Sequence, residues 1–118
     1  MTDVTNFSIP VAALSMCSGP DTSANILRAS ELVREAAGAG ARWIQLPEMF
    51  PYIGPYDHAG RHREAEGGEL GRELSALAQD LGVYLFAGSM NESPPHGGED
   101  KVYNTSYVFG PNGETLAK

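Results

Sequence analysis

The sequence has little of three things that point to particular protein classes: cysteine, basic residues and long hydrophobic runs. Its 118 residues include one cysteine, Cys17, which excludes an internal disulfide framework and a zinc site built from several cysteines. Eight Lys and Arg stand against 15 Asp and Glu, for a formal net charge of −7. That balance argues against nucleic-acid and anionic-membrane partners, which require a basic face. No apolar run approaches the ~18 residues needed to span a bilayer.

The beginning of the chain, MTDVTNFSIP, lacks the basic and apolar regions of a signal peptide. The expected compartment is therefore the cytoplasm. The Asn-x-Ser/Thr triplets at Asn6, Asn91 and Asn104 are expected to be chance matches, because N-glycosylation requires secretion. Hydrophobic residues at 42% and charged residues at 19% are typical of one small globular domain.

Hydrophobic patterning predicts an α/β fold in which strands and helices alternate. The predicted strands are 9–17, 42–46, 83–90 and 102–110, the helices are about 22–39 and 69–81, and a last strand returns from Glu114 onward. Asp21 is predicted to cap the first helix and Gly82 to end the second. The order βαβ–loop–αββ implies parallel pairing with right-handed crossovers.

Two segments carry further expectations. The run IPVAALSMC at 9–17 is continuously apolar, which is typical of a strand buried on both faces of a sheet. Residues 50–68 contain four glycines and two prolines and show little periodicity, so they predict a long exposed loop. Loops of this length in compact domains usually carry function.

Glu48 is the candidate catalytic residue. Pro47 cannot donate to a sheet ladder and ends the second strand, so Glu48 lies just beyond the carboxyl end, where ligands bind in open α/β sheets. The apolar neighbours Leu46, Met49 and Phe50 are expected to desolvate its carboxylate partly, as suits a general base. On spacing alone, a solvated loop glutamate is the alternative.

His58 and His62 are four residues apart and, with Asp57 and Glu64, raise the question of a metal site. Such spacing requires a helix, and Gly60 with its glycine-rich surroundings argues against one. We therefore interpret both histidines as structural or incidental, and the sequence predicts no metal and no cofactor.

Three further candidates are weaker. Tyr52, Tyr56 and Asp57 are either part of a substrate pocket or, as we favour, exposed turn residues. The segment GGELG at 67–71 is not a phosphate loop, because no strand precedes it and no lysine follows it. Cys17 is interpreted as a small hydrophobic residue closing the first strand.

Several motifs in order carry a resemblance to a known family. They are GARWIQLPEMF, Asn25 within SANILRA, LAQDLGVYLFAGSMNE and VYNTSYVFGPNGETLAK. Together they resemble the nitrilase superfamily of carbon–nitrogen hydrolases, over nearly the whole chain from Ile9 to Lys118. The hairpin NTSYVFGPNGE is most similar to the amidase branch, which includes omega-amidase-like and deaminated-glutathione-amidase-like enzymes.

This resemblance implies an α-β-β-α sandwich, of which residues 9–118 would form the N-terminal half of an incomplete domain. It implies a Glu-Lys-Cys triad that cleaves amide, nitrile or carbamoyl substrates, with Glu48 as the general base. Lys118 would correspond to a lysine that precedes the catalytic one, and the nucleophilic cysteine would lie later still. The chain alone is therefore expected to be inactive, and the whole enzyme is expected to be a homo-oligomer.

Two alternatives remain open. One is a non-catalytic α/β module with a binding or regulatory role. The other is a doubly wound domain of receiver or flavodoxin type, against which the predicted hairpin counts, because a helical crossover is expected in its place.

Overall fold

The chain folds around a five-stranded mixed sheet. The structure is a computed structural model that describes residues 6–97 and 101–118. In spatial order its strands are β1 (Val11–Ala13), β2 (Trp43–Gln45), β3 (Tyr84–Glu92), β4 (Tyr103–Phe109) and β5 (Thr115–Ala117). The first three strands pair in parallel, and the last three pair antiparallel. The predicted α/β class and the order βαβ–loop–αββ are confirmed.

Both predicted helices form, with the predicted ends. Helix α1 (Thr22–Gly38) begins at Asp21, whose carboxylate accepts a hydrogen bond of 3.1 Å from the backbone N–H of Ala24. Helix α2 (Glu69–Leu81) ends at Gly82, which has the left-handed φ of 63° that favours glycine. Each helix is the crossover between two parallel strands.

The core lies between the two helices and one face of the sheet. Ile44 of β2 aligns with Leu85 of β3, and both side chains are fully buried. Helix α2 adds three buried leucines, Leu70, Leu74 and Leu77, which form an apolar stripe along one face of the helix. The stripe spacing of three and four residues thus predicted the helix and its buried face correctly.

The opposite face of the sheet carries exposed aromatic side chains. Trp43 of β2 and Tyr84 of β3 are both 38% exposed, with ring centroids 6.2 Å apart. Phe86 lies 5.8 Å from Trp43 on the same face. No helix of the described chain covers these residues, so this sheet has one packed and one open face.

The open face explains why the prediction for 9–17 was wrong. The strand is only three residues long, and Val11 is 63% exposed. An apolar run of this kind indicates burial on both faces, whereas the described residues cover one face only. Cys17 lies beyond the strand and is exposed, which corrects its interpretation as a packed hydrophobic residue.

The segment 50–68 is more ordered than the predicted exposed loop. Phe50 and Tyr52 are buried, at 1% and 4% exposure, and a short 3₁₀ helix spans Tyr56–His62. Glu64 then pairs in parallel with Glu92 at the end of β3. Sequence periodicity missed these features because neither a short 3₁₀ helix nor an isolated bridge produces a repeating apolar pattern.

Strand β3 extends beyond its predicted end at residue 90. It continues through Asn91 and Glu92, and both side chains are buried. The connection between the strands predicted at 83–90 and 102–110 therefore begins later, and its residues 98–100 lie outside the described part of the chain. Among the described residues, no helix combines the length and apolarity that crossing a membrane would require.

Candidate functional site

Glu48 follows β2 at the carboxyl end of the parallel strands, as the sequence predicted. Its side chain is exposed, and Oε1 accepts a hydrogen bond of 2.9 Å from Nδ2 of Asn104 on β4. The expected desolvation by Leu46, Met49 and Phe50 is wrong, because Glu48 is exposed. Leu46 and Phe50 are buried in the core, and Met49 is half-buried. The carboxylate is oriented by a hydrogen bond rather than enclosed by apolar neighbours.

The turn that carries Glu48 is fixed to the neighbouring strand. Met49 has a φ of 56°, a left-handed conformation that is uncommon for a residue with a side chain. Its backbone N–H donates a hydrogen bond of 3.2 Å to Oγ of Ser89 on β3. Before the turn, Nε2 of Gln45 donates to the carbonyl oxygen of Leu46 at 2.6 Å. These contacts hold the backbone on both sides of Glu48.

A buried asparagine joins the loops that follow β1 and β2. Nδ2 of Asn25 donates to the carbonyl oxygens of Gly19 at 2.7 Å and Pro51 at 2.9 Å. Its Oδ1 accepts a hydrogen bond of 3.1 Å from the backbone N–H of Gly19. Oγ of Ser18 adds a bond of 2.6 Å to the carbonyl oxygen of Phe50. The first turn of α1 therefore positions the segment that follows Glu48.

Glu48 lines two cavities. The larger, of about 370 Å³, is mainly apolar and also includes Met49, Tyr52 and Asn91 in its lining. The smaller, of about 200 Å³, is lined by Glu48 together with residues of β3 and β4, which are Gly88, Ser89, Asn104 and Ser106. A small ligand in either cavity would lie against the carboxylate.

The histidines do not form a metal site. In a 3₁₀ helix with three residues per turn, positions four apart point in different directions, so His58 and His62 do not share a face. The ring of His62 instead stacks on Tyr52 with centroids 3.9 Å apart, and its Nδ1 lies 3.1 Å from Oγ1 of Thr22. Within the described ranges, no three His, Cys, Asp or Glu side chains form a cluster that could hold a metal ion.

The tyrosines of the long loop differ in environment. Tyr52 is buried and lines the 370 Å³ cavity, so its interpretation as an exposed turn residue is wrong. Tyr56 lines the same cavity but is 91% exposed, and Asp57 is exposed. For these last two residues the exposed interpretation is confirmed.

Glu92, Tyr107 and Lys118 form a second polar cluster at the end of β3. The buried carboxylate of Glu92 accepts a hydrogen bond from the Tyr107 hydroxyl and pairs with Nζ of Lys118 at 2.8 Å. Burial, followed by the hydrogen bond to Glu92, raises the pKa of Tyr107 to about 12. The hydrogen bonds to Glu92 and Glu66 raise the pKa of Lys118. This cluster fastens the last strand to the sheet.

Sequence reasoning missed three polar residues of the site. Asn91 and Asn104 were interpreted only as members of chance glycosylation triplets, and Ser89 was assigned no role. All three lie on β3 or β4, where the pairing shifts register between Ala87 and Met90. A register shift of this kind decides which side chains reach Glu48, and periodicity alone does not reveal it.

Comparison with known proteins assigns the family. The sequence profile described as "Carbon-nitrogen hydrolase" matches residues 10–118. The chain belongs to this family. The omega-amidase of Homo sapiens is 38% identical over 117 residues, covering 98% of this chain and 40% of that protein. The omega-amidase of Danio rerio is 45% identical over 94 residues, covering 78% and 32% respectively. This carbon–nitrogen hydrolase chain thus spans about two fifths or less of these relatives.

Solved structures show the same fold. Nit3 of Saccharomyces cerevisiae, described as a member of branch 10 of the nitrilase superfamily, superposes with a TM-score of 0.81 at 27% identity, over 92% of this chain and 42% of that one. An amidase from Nesterenkonia sp. gives a TM-score of 0.75 at 22% identity, over 92% and 41%. The resemblance to the nitrilase superfamily and to its omega-amidase-like members is confirmed, as is the fold class.

Proposed function

We propose that this chain supplies the general base of a carbon–nitrogen hydrolase that acts on non-peptide C–N bonds in small amides, nitriles or carbamoyl compounds. The observation that carries the proposal is the position of Glu48. It lies at the carboxyl end of β2, is oriented by Asn104 at 2.9 Å and lines two cavities. Family membership supplies the reaction class.

The proposed mechanism is the thioester route of a Glu-Lys-Cys triad. The Glu48 carboxylate takes the proton of a cysteine thiol, and the thiolate attacks the amide carbon. The tetrahedral intermediate collapses as the protonated Glu48 gives its proton to the leaving ammonia. Glu48 then takes a proton from water, whose oxygen attacks the thioester carbon. As the C–S bond breaks, Glu48 returns that proton to the departing sulfur, so that the acid and the thiol are released. A lysine stabilises the oxyanion in both steps.

In this proposal the lysine and the cysteine come from outside the 118 residues, with 9–118 forming an incomplete hydrolase domain. The basis is that the chain spans only 40% of the human omega-amidase. Cys17 is exposed beyond β1 and has no role in this scheme. The isolated chain should then release no ammonia from amides or nitriles, because one general base contributes only ~10²–10⁴ in rate.

A chimera tests the proposal. Residues 1–118 would replace the matching segment of the Homo sapiens omega-amidase, which covers 98% of this chain, and ammonia release would be measured for the chimera and the isolated chain. We expect turnover by the chimera alone. Glu48→Gln should lower its kcat by roughly 10²–10⁴ because the base is lost while the shape is kept. Glu35→Gln, at an exposed position on α1, is the matched control.

Two results would contradict the proposal. The first is a Glu48→Gln chimera that keeps more than about a tenth of the parent turnover, which would exclude Glu48 as the base. The second is a folded chimera without activity, which would favour the non-catalytic binding module. Ammonia release by the isolated chain would separately contradict the assignment of the lysine and cysteine to another segment.

A further inference from the structure

A β-bulge in β3 lies beside the turn that carries the proposed base. The register of the β3–β4 ladder shifts between Ala87 and Met90. Across this shift, Gly88 and Ser89 of β3 lie opposite the single residue Ser106 of β4. Two residues opposite one form a bulge, which disrupts the ladder locally and redirects side chains. Ser89, inside the bulge, accepts the hydrogen bond of 3.2 Å from the turn.

The register across the bulge decides where Asn104 points. Asn104 pairs with Asn91 just beyond the bulge, and its Nδ2 donates to Oε1 of Glu48 at 2.9 Å. Successive side chains of a strand point to opposite faces, so a slip of one residue in the pairing would turn Asn104 away from the carboxylate. The orientation of Glu48 therefore depends on the contacts that fix the pairing of β3 and β4 on both sides of the bulge.

The hydrogen bond between Tyr107 and Glu92 spans the bulge. Tyr107 pairs with Ala87 on one side of it. Glu92 pairs with Tyr103 on the other side. The hydroxyl of Tyr107 donates to the Glu92 carboxylate, and both side chains are buried, at 7% and 1% exposure. Because the two residues are not opposite each other in the ladder, their hydrogen bond ties the pairing before the bulge to the pairing after it.

Lys118 holds the same carboxylate from the residue that follows β5. Its Nζ lies 2.8 Å from Oε1 of Glu92 and 3.1 Å from Oε2 of Glu66. The same atom lies 5.7 Å from the centre of the Tyr107 ring. A buried carboxylate is costly unless it is paired and hydrogen-bonded. Glu92 therefore favours the one arrangement of the strands in which both of its partners reach it.

We propose that Glu92 and Tyr107 are positioning residues for Glu48, because their hydrogen bond holds the bulge in the register that directs Asn104 to the carboxylate. The two residues act from the reverse face of the sheet. Tyr107 stands three positions after Asn104, and Glu92 one position after Asn91, and odd separations place side chains on opposite faces of a strand. This role rests on the function proposed above, in which Glu48 is the base.

The side-chain amide resonances of Asn104 test the inference without turnover. In the ¹⁵N-labelled 118-residue chain, Glu48→Gln should shift these resonances, because Glu48 is the hydrogen-bond partner. In the Tyr107→Phe background, the same substitution should shift them less than about half as far, because Asn104 no longer points at residue 48. Tyr103→Phe, on the same strand and 48% exposed, is the control and should leave the full shift.

A second variant covers the case in which Tyr107→Phe loses the dispersed spectrum of the folded chain. Lys118→Met removes the other partner of Glu92 at an exposed position. The carboxylate is then less firmly held, so the effect of Glu48→Gln on the Asn104 resonances should again be reduced.

Kinetics of the omega-amidase chimera test the consequence for the reaction. Tyr107→Phe should lower kcat by roughly threefold to thirtyfold and change KM little, because the base is present but less well oriented. In the Asn104→Ala background, Tyr107→Phe should lower kcat no further, since it acts through Asn104. Tyr103→Phe should leave both parameters as in the parent.

Two results would overturn the inference. One is a shift of the Asn104 resonances by Glu48→Gln that is as large with Tyr107→Phe as without it, which would leave the Tyr107 bond a purely structural role. The other is a fall in kcat on Tyr107→Phe that is as large in the Asn104→Ala background as in the parent chimera. A chimera without ammonia release would contradict the proposed reaction, whereas the Asn104 resonances would still decide the inference.

Discussion

Asn104 and Glu48 lie 56 positions apart in the chain and are joined by a hydrogen bond of 2.9 Å. Glu48 follows the parallel strand β2, whereas Asn104 belongs to the antiparallel strand β4. Strand β3 lies between them and pairs with both. The orientation of the carboxylate therefore depends on correct pairing in both halves of the mixed sheet.

The first prediction concerns this hydrogen bond. In the omega-amidase chimera, Asn104→Ala should lower kcat by roughly tenfold to a hundredfold and change KM little, because the base is still present but no longer oriented. Steady-state kinetics of ammonia release measures both parameters. Asn112→Ala, at an exposed turn position, is the control. A raised KM with unchanged kcat would indicate a role in substrate binding instead.

The second prediction concerns Asn25, which bridges the loops after β1 and β2. Asn25→Ala should lower the free energy of unfolding by roughly 1–3 kcal/mol, because the buried partners on Gly19 and Pro51 lose their hydrogen bonds. Urea denaturation measures the change, with the exposed Asn112→Ala as reference. Equal stability of the two variants would show that the bridge contributes nothing to the fold.

The third prediction is a loss of stability at alkaline pH through Tyr107. Its pKa rises from 10.0 to about 12 in the folded state, so the folded chain keeps a proton that the unfolded chain loses in this interval. The free energy of unfolding should therefore fall as the pH rises from about 10 to about 12. Urea denaturation at about pH 9 and about pH 11 measures the fall.

Tyr107→Phe separates this effect from other titrations. The variant should be less stable at neutral pH by roughly 1–3 kcal/mol, because the buried Glu92 loses a donor. It should also show a smaller loss between the two alkaline conditions. Tyr103→Phe, on the same strand and 48% exposed, is the control. An identical alkaline loss in the parent and in Tyr107→Phe would refute the assignment.

The fourth prediction compares a glycine inside α2 with the glycine that follows its last residue. Gly71 lies inside the helix with open space where a Cβ would stand, so Gly71→Ala should raise the free energy of unfolding by about 0.5–1 kcal/mol. Gly82 has a φ of 63°, and Gly82→Ala should lower it by about 1 kcal/mol, since a side chain strains the left-handed conformation. Thermal denaturation measures both. Changes of the same sign would contradict the assigned end of the helix.

Much of the fold follows from local sequence patterns. The leucine stripe beginning at Leu70 predicts α2 and its buried face, Asp21 predicts the start of α1, and Pro47 predicts the end of β2. Each of these features depends on residues close together in the chain. Propensity, capping and periodicity act over the same short range, so the sequence predicted these elements well.

The environment of Glu48 could not be predicted in the same way. Its hydrogen-bond partner depends on the register of β4 against β3, which shifts between Ala87 and Met90. The exposure of the carboxylate follows from the direction of Leu46 and Phe50 into the core. The burial of Tyr52 depends on packing against His62 of the 3₁₀ helix. All three features depend on tertiary packing, which propensity, capping and periodicity do not describe.

The segment between Glu48 and Glu64 is anchored at both ends on the sheet. At one end, Met49 donates to Ser89, and at the other, Glu64 forms backbone hydrogen bonds of 2.8 Å with Asn91 and Ser93. The closure entropy of a loop held in this way rises only slowly with its length. Insertions, deletions and exchanges at the exposed positions of this segment can therefore accumulate during divergence and reshape the 370 Å³ cavity, while the proposed base keeps its place on the scaffold.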